Sequence, residues 1–569
     1  MKPPPRRTIQ LPIILIRKTT TVVALTLFAI SCNNTPKAEE EHIAPKKVIQ
    51  ETVIGPLFSQ EEFVATLRDF VPAVDTLDSV FHKKGVTLRN AKGYTYLLNS
   101  YRPIWVTESG VTEAAAQLIG ELDSLRGDGL EPSRYGYNEL TGMMDKLKKG
   151  KTNIHDVVAF DTACTASYLK AAHDLLFGII SPKTVDDQWF HTNDTIWQAP
   201  QALAIAFFKD GKYPSLSGYR STLPTYRLLQ EELQRYTALA SDENLSTFKS
   251  LVKGPSTADS YAVAIIEKEI PWLQTNAGDS LNNKGQLVRG FQDFYGLAPT
   301  GKLDSSTAKL LARQPDTTIN LVRANLERLR WLPKDLENQY VLVNIPQMEL
   351  FYRKGTETAF KMRVVVGKPS RQTPALNATM ANVVFSPPWG VPPTILKKEV
   401  LPGIAKRGGA YLARKGLKAY DRRGKLVSAS AINGKNLSGL SFRQPPGARN
   451  ALGEIKFNLP NKWDIYLHDT PHKEDFPRRY RAKSSGCIRV EHPKDFAQFI
   501  LSDLEGRNFN REIIDSIIQT RRTRFENLKN KIPVHLIYLT AFEDTTGQHL
   551  RFLPDIYKLD QKLIAALNN

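Results

Sequence analysis

The chain is poor in cysteine. It has three in 569 residues, at positions 32, 164 and 487. Three thiols make a poor disulfide framework, and an exported protein that leaves a cysteine unpaired uses it chemically or buries it. Zinc-ligand spacings, an aromatic RNA-binding signature and a concentrated basic arm are also missing, which argues against a nucleic-acid partner. The apolar run Val22–Ile30 has nine residues, too few for a permanent bilayer-spanning helix, which needs about 20. Extended disorder is not expected beyond the start, because 41% apolar and 24% charged residues are ordinary for a soluble protein.

The length exceeds what one hydrophobic core supports, so roughly three or four domains are expected. The net charge is +19, which favours anionic partners such as a cell envelope. Arg6, Arg7, Arg17 and Lys18 precede the short apolar run, the layout of an export signal. Ala29-Ile30-Ser31-Cys32 follows and resembles a bacterial lipobox. That resemblance implies residues 1–32 as signal, a lipid on Cys32, a polar tether over 33–55, and a periplasmic, membrane-anchored lipoprotein. An ordinary cleaved signal with an incidental cysteine is the other reading.

Residues 56–250 read as a helical scaffold domain. Ala115, Leu118, Ile119, Leu122 and Leu125 recur at helical spacing, and Asp161–Phe177 forms a second long helix ended by Gly178. Cys164 lies in that helix as core packing; a Cys164–Cys487 bridge is the alternative that would silence the thiol. Residues 258–313 read as a small three-helix module, with Gly296 suited to a C-cap and Asp304 or Ser305 to an N-cap. Its Val288…Phe291-Gln292…Gly296-Leu297 helix and Asp304…Thr307 helix resemble the peptidoglycan-binding domain family, although a helical spacer without ligand remains open. From 336 to 569 the pattern turns to strands, at 340–345, 362–366, 383–389, 455–457, 465–468 and 534–539, with helix expected over 493–528. A Gly-, Lys- and Arg-rich insertion at 396–440 is a mobile lid or a plain surface loop. The fold class is therefore multidomain α+β: a helical scaffold, the small module and a mainly-β catalytic domain with its insertion.

Ser484-Ser485-Gly486-Cys487-Ile488-Arg489-Val490-Glu491 holds the third cysteine, and His468 lies nineteen residues upstream. A thiol needs a base to attack a carbonyl at neutral pH, and histidine is the usual supplier. Strand alternation puts Tyr466 and His468 on one face, and Cys487 and Arg489 on one face. Gly486 permits close backbone approach, and the amides of Gly486 and Cys487 suit an oxyanion pocket. Arg489 is either a carboxylate fork or a structural ion pair; Tyr466 and Trp389 either line a groove or fill a core. His472, His492 and His535 show no metal spacing, and no metal is expected.

The stretches Pro446–Phe457, Tyr466–Pro471 and Ser484–Glu491, with Pro533–His535 and Asp555–Tyr557, resemble the large multidomain branch of the L,D-transpeptidases, which cross-link peptidoglycan. The resemblance implies Cys487 as nucleophile and His468 as general base, with the Asp469 carbonyl orienting the imidazole and Ser484 shaping the donor site. Ser485 stands where the short branch often has histidine. It further implies 3→3 cross-links through a thioester, peptidoglycan stem peptides as partners, no cofactor and a monomer. An L,D-carboxypeptidase and a non-catalytic peptidoglycan-binding lipoprotein are the alternatives.

Overall fold

The computed structural model describes residues 58–71, 88–150, 152–191, 213–276, 283–432, 437–544 and 546–569. The export signal, Cys32 and the 33–55 tether lie outside them. Among the described residues no helix is long and apolar enough to cross a membrane.

In the helical region, Thr112 caps α1 (Glu113–Ser124) by accepting from the Ala115 amide, and Leu118, Ile119 and Leu122 are buried. Helix α2 (Ile154–Phe177) runs beside it, capped by the Asn153 side chain and stopped at Gly178. Cys164 is a free, buried thiol on α2, and Cys487 is also free, so the bridge alternative falls. One α2 carboxylate organises this core. Asp161 accepts from the amides of Ile104 (2.9 Å), Trp105 (2.6 Å) and Val106 (3.2 Å) and from the Tyr96 hydroxyl. Burial pushes its carboxyl up to about 6, so it is still charged at neutral pH, held by four donors. Asp161→Ala orphans buried amides and is expected to cost on the order of 3 kcal/mol or more, measured as a lowered urea midpoint; an unchanged midpoint would contradict the bonding described.

Helix α3 (Pro224–Ala240) buries Tyr226, Leu229 and Leu233 in a second core that continues into the C-terminal sheet. The small module comprises α4 (Pro255–Glu269), α5 (Asn283–Phe294) and α6 (Ser305–Leu311). Its buried Gln292 donates to the Lys302 carbonyl and the Thr307 hydroxyl and accepts from the Gly301 amide. That glutamine therefore fastens the turn between two helices. Phe294 and Tyr295 pack on Phe552, and Arg551 binds Asp293, so the module shares its core with the C-terminal domain. Helix α7 (Pro315–Arg330) joins them, with Arg328 bound to Asp560 at 2.6 Å.

The C-terminal domain is built on one sheet. Its strands are β1 (Gln339–Asn344), β2 (Glu349–Lys354), β3 (Glu357–Gly367), β4 (Leu376–Phe385), β5 (Ile455–Asn458), β6 (Leu467–His468), β7 (Ala482–Ser484), β8 (Ile488–Val490) and β9 (Arg524–Ile537). They pair in the order β7-β3-β8-β6-β5-β4-β9-β1-β2, and β2 also pairs with β3, so the sheet returns on itself. Strands such as β1, buried along nearly its whole length, read as continuous apolar runs because both faces are covered.

Two local expectations are corrected. The 493–528 segment is helical over Pro493–Gln498 and Arg511–Gln519, but from Arg524 onward it is strand β9. Glu526 and Leu528 are buried while Phe525 and Asn527 are exposed, a two-residue alternation that overrides the apolar spacing. The 465–468 segment forms ladder bonds only at Leu467–His468, because the Asn461 side chain engages both the amide and the carbonyl of Ile465.

The 396–440 insertion is neither a plain loop nor structureless. It folds into short helical turns at Leu401–Arg407 and Gly409–Lys415 and a four-stranded sheet of Trp389–Gly390, Ser441–Gln444, Lys418–Tyr420 and Leu426–Val427. Its own core includes Ile404, Leu412, Ala419 and Phe442. Gly409 is required there, since a Cβ would fall 1.8 Å from the Ala429 carbonyl oxygen. This cap overhangs the cleft described next.

Candidate active site

Parallel pairing of β6 and β8 sets Leu467 against Ile488 and His468 against Arg489. The Ile488 amide donates to the Tyr466 carbonyl at 3.1 Å. Tyr466 is thus level with Cys487, and His468 stands diagonally ahead on the same face. All four side chains, Tyr466, His468, Cys487 and Arg489, line one cleft of about 580 Å³, with the cap's Tyr411 and Arg414 on the opposite wall. The convergence expected from strand alternation is what the structure shows. A larger cleft of about 750 Å³ opens beside α3, but no cysteine or histidine lines it, and Arg353 there is paired with Glu543.

The turn carrying the thiol is fastened from within. Ser484 Oγ donates to the Cys487 carbonyl and accepts from the Gly486 amide (3.1 Å). Gly486 sits at φ +120°, where only glycine is unstrained. The oxyanion pocket read from the sequence is therefore revised. The Gly486 amide is occupied by Ser484, and the Cys487 amide is the remaining backbone donor of the pair. Ser484 is buried and shapes the turn.

His468 is buried, and its Nδ1 faces the Asp469 carbonyl oxygen. An acceptor at that nitrogen requires the proton to be there, leaving Nε2 with its lone pair. The Asp469 carboxylate does separate work, accepting from the Glu454 amide at 2.8 Å and from Lys473. Burial first, then the charges of Arg489, Lys456 and Lys473, lower the imidazole to about 3. At neutral pH it is an uncharged base. Burial also pushes the Cys487 thiol up, while hydrogen bonds from Tyr466 and the charge of Lys456 pull it back. At rest the cleft thus holds a protonated thiol and a neutral imidazole. The thiol donates meanwhile to the Asp464 carbonyl at 3.4 Å.

Tyr466 and Trp389 both face the cleft. Burial first, then the nearby Cys487 sulfur, holds the Tyr466 hydroxyl well above its ordinary value. Arg489 lines the cleft and pairs with Asp475 at 3.5 Å, the structural ion pair of the two roles considered. Ser485 is exposed at the cleft mouth and bonds Arg371. Among the described residues no three or more His, Cys, Asp or Glu side chains are grouped to hold a metal ion.

Two cleft residues, and a lysine beside the cleft, escaped the sequence reading. Lys456 on β5 pairs across from His468 and holds its ammonium 4.2 Å over the Tyr466 ring. The alternation of Ile455, Lys456 and Phe457 carried a signal for it, once β5 and β6 are known to be neighbours. Arg371 and Glu399 had no local signal; they meet across 28 residues.

Residues 338–518 match a family described as the L,D-transpeptidase catalytic domain, and residues 94–233 match one described as a scaffold domain. A Haemophilus influenzae protein named "Putative L,D-transpeptidase" is 32% identical over 303 residues, covering 52% of this chain and 57% of that protein. The chain thus spans a little over half the length of that curated relative. The solved structure of the Ldtfm-avibactam carbamoyl enzyme is matched over 36% of this chain and 51% of that chain, at 13% identity and a TM-score of 0.18; nothing below rests on it.

Proposed function

Because residues 338–518 are an L,D-transpeptidase catalytic domain, we propose that the whole chain cross-links peptidoglycan stem peptides through a thioester on Cys487. The observation that carries this reading is the half-buried thiol sharing one cleft and one sheet face with a neutral, carbonyl-oriented histidine. In the first half-reaction His468 Nε2 takes the thiol proton as sulfur bonds to the carbonyl carbon of the third stem residue, a diaminopimelate. The Cys487 amide and the Tyr466 hydroxyl are placed to stabilise charge as it develops. The C–N bond to the terminal residue then breaks, and the imidazolium returns its proton to the leaving amine. In the second half an acceptor amine, the side chain of another diaminopimelate, attacks the thioester. It loses its proton to His468 and releases the thiol, leaving a 3→3 amide.

The net charge of +19 suits an anionic wall polymer, and the N-terminal sequence supports a periplasmic lipoprotein held by Cys32. The small module is proposed to hold its neighbour domain in place, since Gln292, Phe294 and Tyr295 all serve packing. The test is product analysis of the purified full chain with tetrapeptide stems. A dimer linked between two third residues is expected. Tripeptide alone, with added amine never incorporated, would make the protein an L,D-carboxypeptidase. No turnover and no adduct would leave a non-catalytic binder.

A further inference from the structure

The loop after β3 brings Arg371 to the cleft, where its Nη1 stands 2.6 Å from the Glu399 carboxylate of the cap and 2.9 Å from the Ser485 hydroxyl. Ser485 lies two residues before the reacting sulfur. A carboxylate thus occupies the cleft wall close to where an acyl group must sit, and this protein supplies it from its own cap. The two partners differ in fixity. The Arg371 side chain is 11% exposed and the Glu399 side chain 47%. A half-exposed carboxylate in such a pair is weakly held and readily exchanged, while the guanidinium is a lasting part of the wall. Glu399 also lies on a π-turn, Leu396–Val400, a backbone irregularity found often at functional sites. Arg489, another cation of the cleft, already has Asp475 and stands in register with His468.

We infer that Arg371 reads a donor-peptide carboxylate beside the scissile carbonyl, and that Glu399 holds that place until the donor displaces it. The inference rests on the transpeptidase reading above. A guanidinium fork recognises carboxylate geometry that an amide does not reproduce. Two donor carboxylates flank the scissile bond: the free terminus of the leaving residue and the side-chain carboxylate of the third residue. Displacing Glu399 would also free the cap from Arg371, so that donor binding is coupled to the cap's hold on the cleft.

The experiment measures kcat and KM separately for the full-length wild type, Arg371→Gln, Arg371→Lys and Glu399→Gln. Three donors are used: the tetrapeptide, its C-terminal amide, and the tetrapeptide amidated at the third side chain. The wild type is expected to lose roughly 10- to 100-fold in kcat/KM on one amidated donor, mainly through KM, the scale of one charge-assisted hydrogen-bonded contact. The amide it rejects names the carboxylate. Arg371→Gln should treat all three donors alike, Arg371→Lys should recover part of the preference, and Glu399→Gln should lower KM for the carboxylate donor. Iodoacetamide labelling of Cys487 in each variant reports an intact cleft. A wild type indifferent to amidation, or an Arg371→Gln enzyme that keeps full preference, overturns the assignment. If Arg371→Gln fails to fold, unchanged KM in Glu399→Gln together with full preference in Arg371→Lys does the same. A wild type that turns over none of the donors removes the transpeptidase reading itself, and this inference with it.

Discussion

Cys487→Ala is expected to lower turnover by roughly 10⁴-fold or more, because no other group in the cleft can form the acyl intermediate. The neighbouring nucleophile candidates are committed elsewhere. Ser484 Oγ is bound on both sides within the turn, and the Ser485 hydroxyl is held by Arg371. The fold should survive the change. The thiol is only half-buried and its one donated bond, to Asp464, is long at 3.4 Å, so stability should shift by less than about 1 kcal/mol. Loss of turnover with an unaltered urea midpoint is the expected pair of results. Cross-links formed at the wild-type rate would remove Cys487 from the chemistry.

His468→Gln is expected to reduce kcat by roughly 10²- to 10⁴-fold, the usual contribution of a positioned general base. The glutamine amide reaches the position of Nε2 rather than Nδ1, so the base and the bond to the Asp469 carbonyl are lost together. The wild-type pH profile carries the companion expectation. A free imidazole titrates near 6.5, but burial and three nearby cations lower His468 to about 3. Its folded pKa is depressed, so the neutral base persists as pH falls from 7 and is protonated only near pH 3. The profile of kcat/KM should therefore show no ionisation centred at 6.5 between pH 5 and 8. A limb with that midpoint, lost in His468→Gln, would mean that the imidazole is solvated and unlike the one described.

The parts of this site that were legible in the sequence were the parts coded locally. Tyr466 and His468 share a face because they are two apart, as are Cys487 and Arg489, and the short segments around them carry the family resemblance. The helical core was legible for the same reason in the spacing of α1 and in the Gly178 stop of α2, although α2 begins at Ile154, ahead of the expected Asp161. What was illegible depends on which distant segments lie side by side. Arg371 meets Ser485 across 114 residues, and Asp161 holds amides 55 to 57 residues away. Lys456 comes to His468 and Tyr466 only because β5 pairs with β6. The Gly486 amide looked free until the Ser484 side chain was seen to turn back on it. The start of strand β9 was read as helix up to residue 528, because its pairing to the distant β4 decides the outcome.

The covalent intermediate is the most direct object of measurement. The full chain is mixed with a tetrapeptide donor without added amine, quenched in acid within seconds, and weighed intact before peptide mapping. A mass gain equal to the donor minus the free amino acid released from its terminus, mapped to the peptide holding Cys487 and missing from Cys487→Ala, is the expected result. Turnover with no such gain, or the same gain in Cys487→Ala, would contradict a thioester at that sulfur.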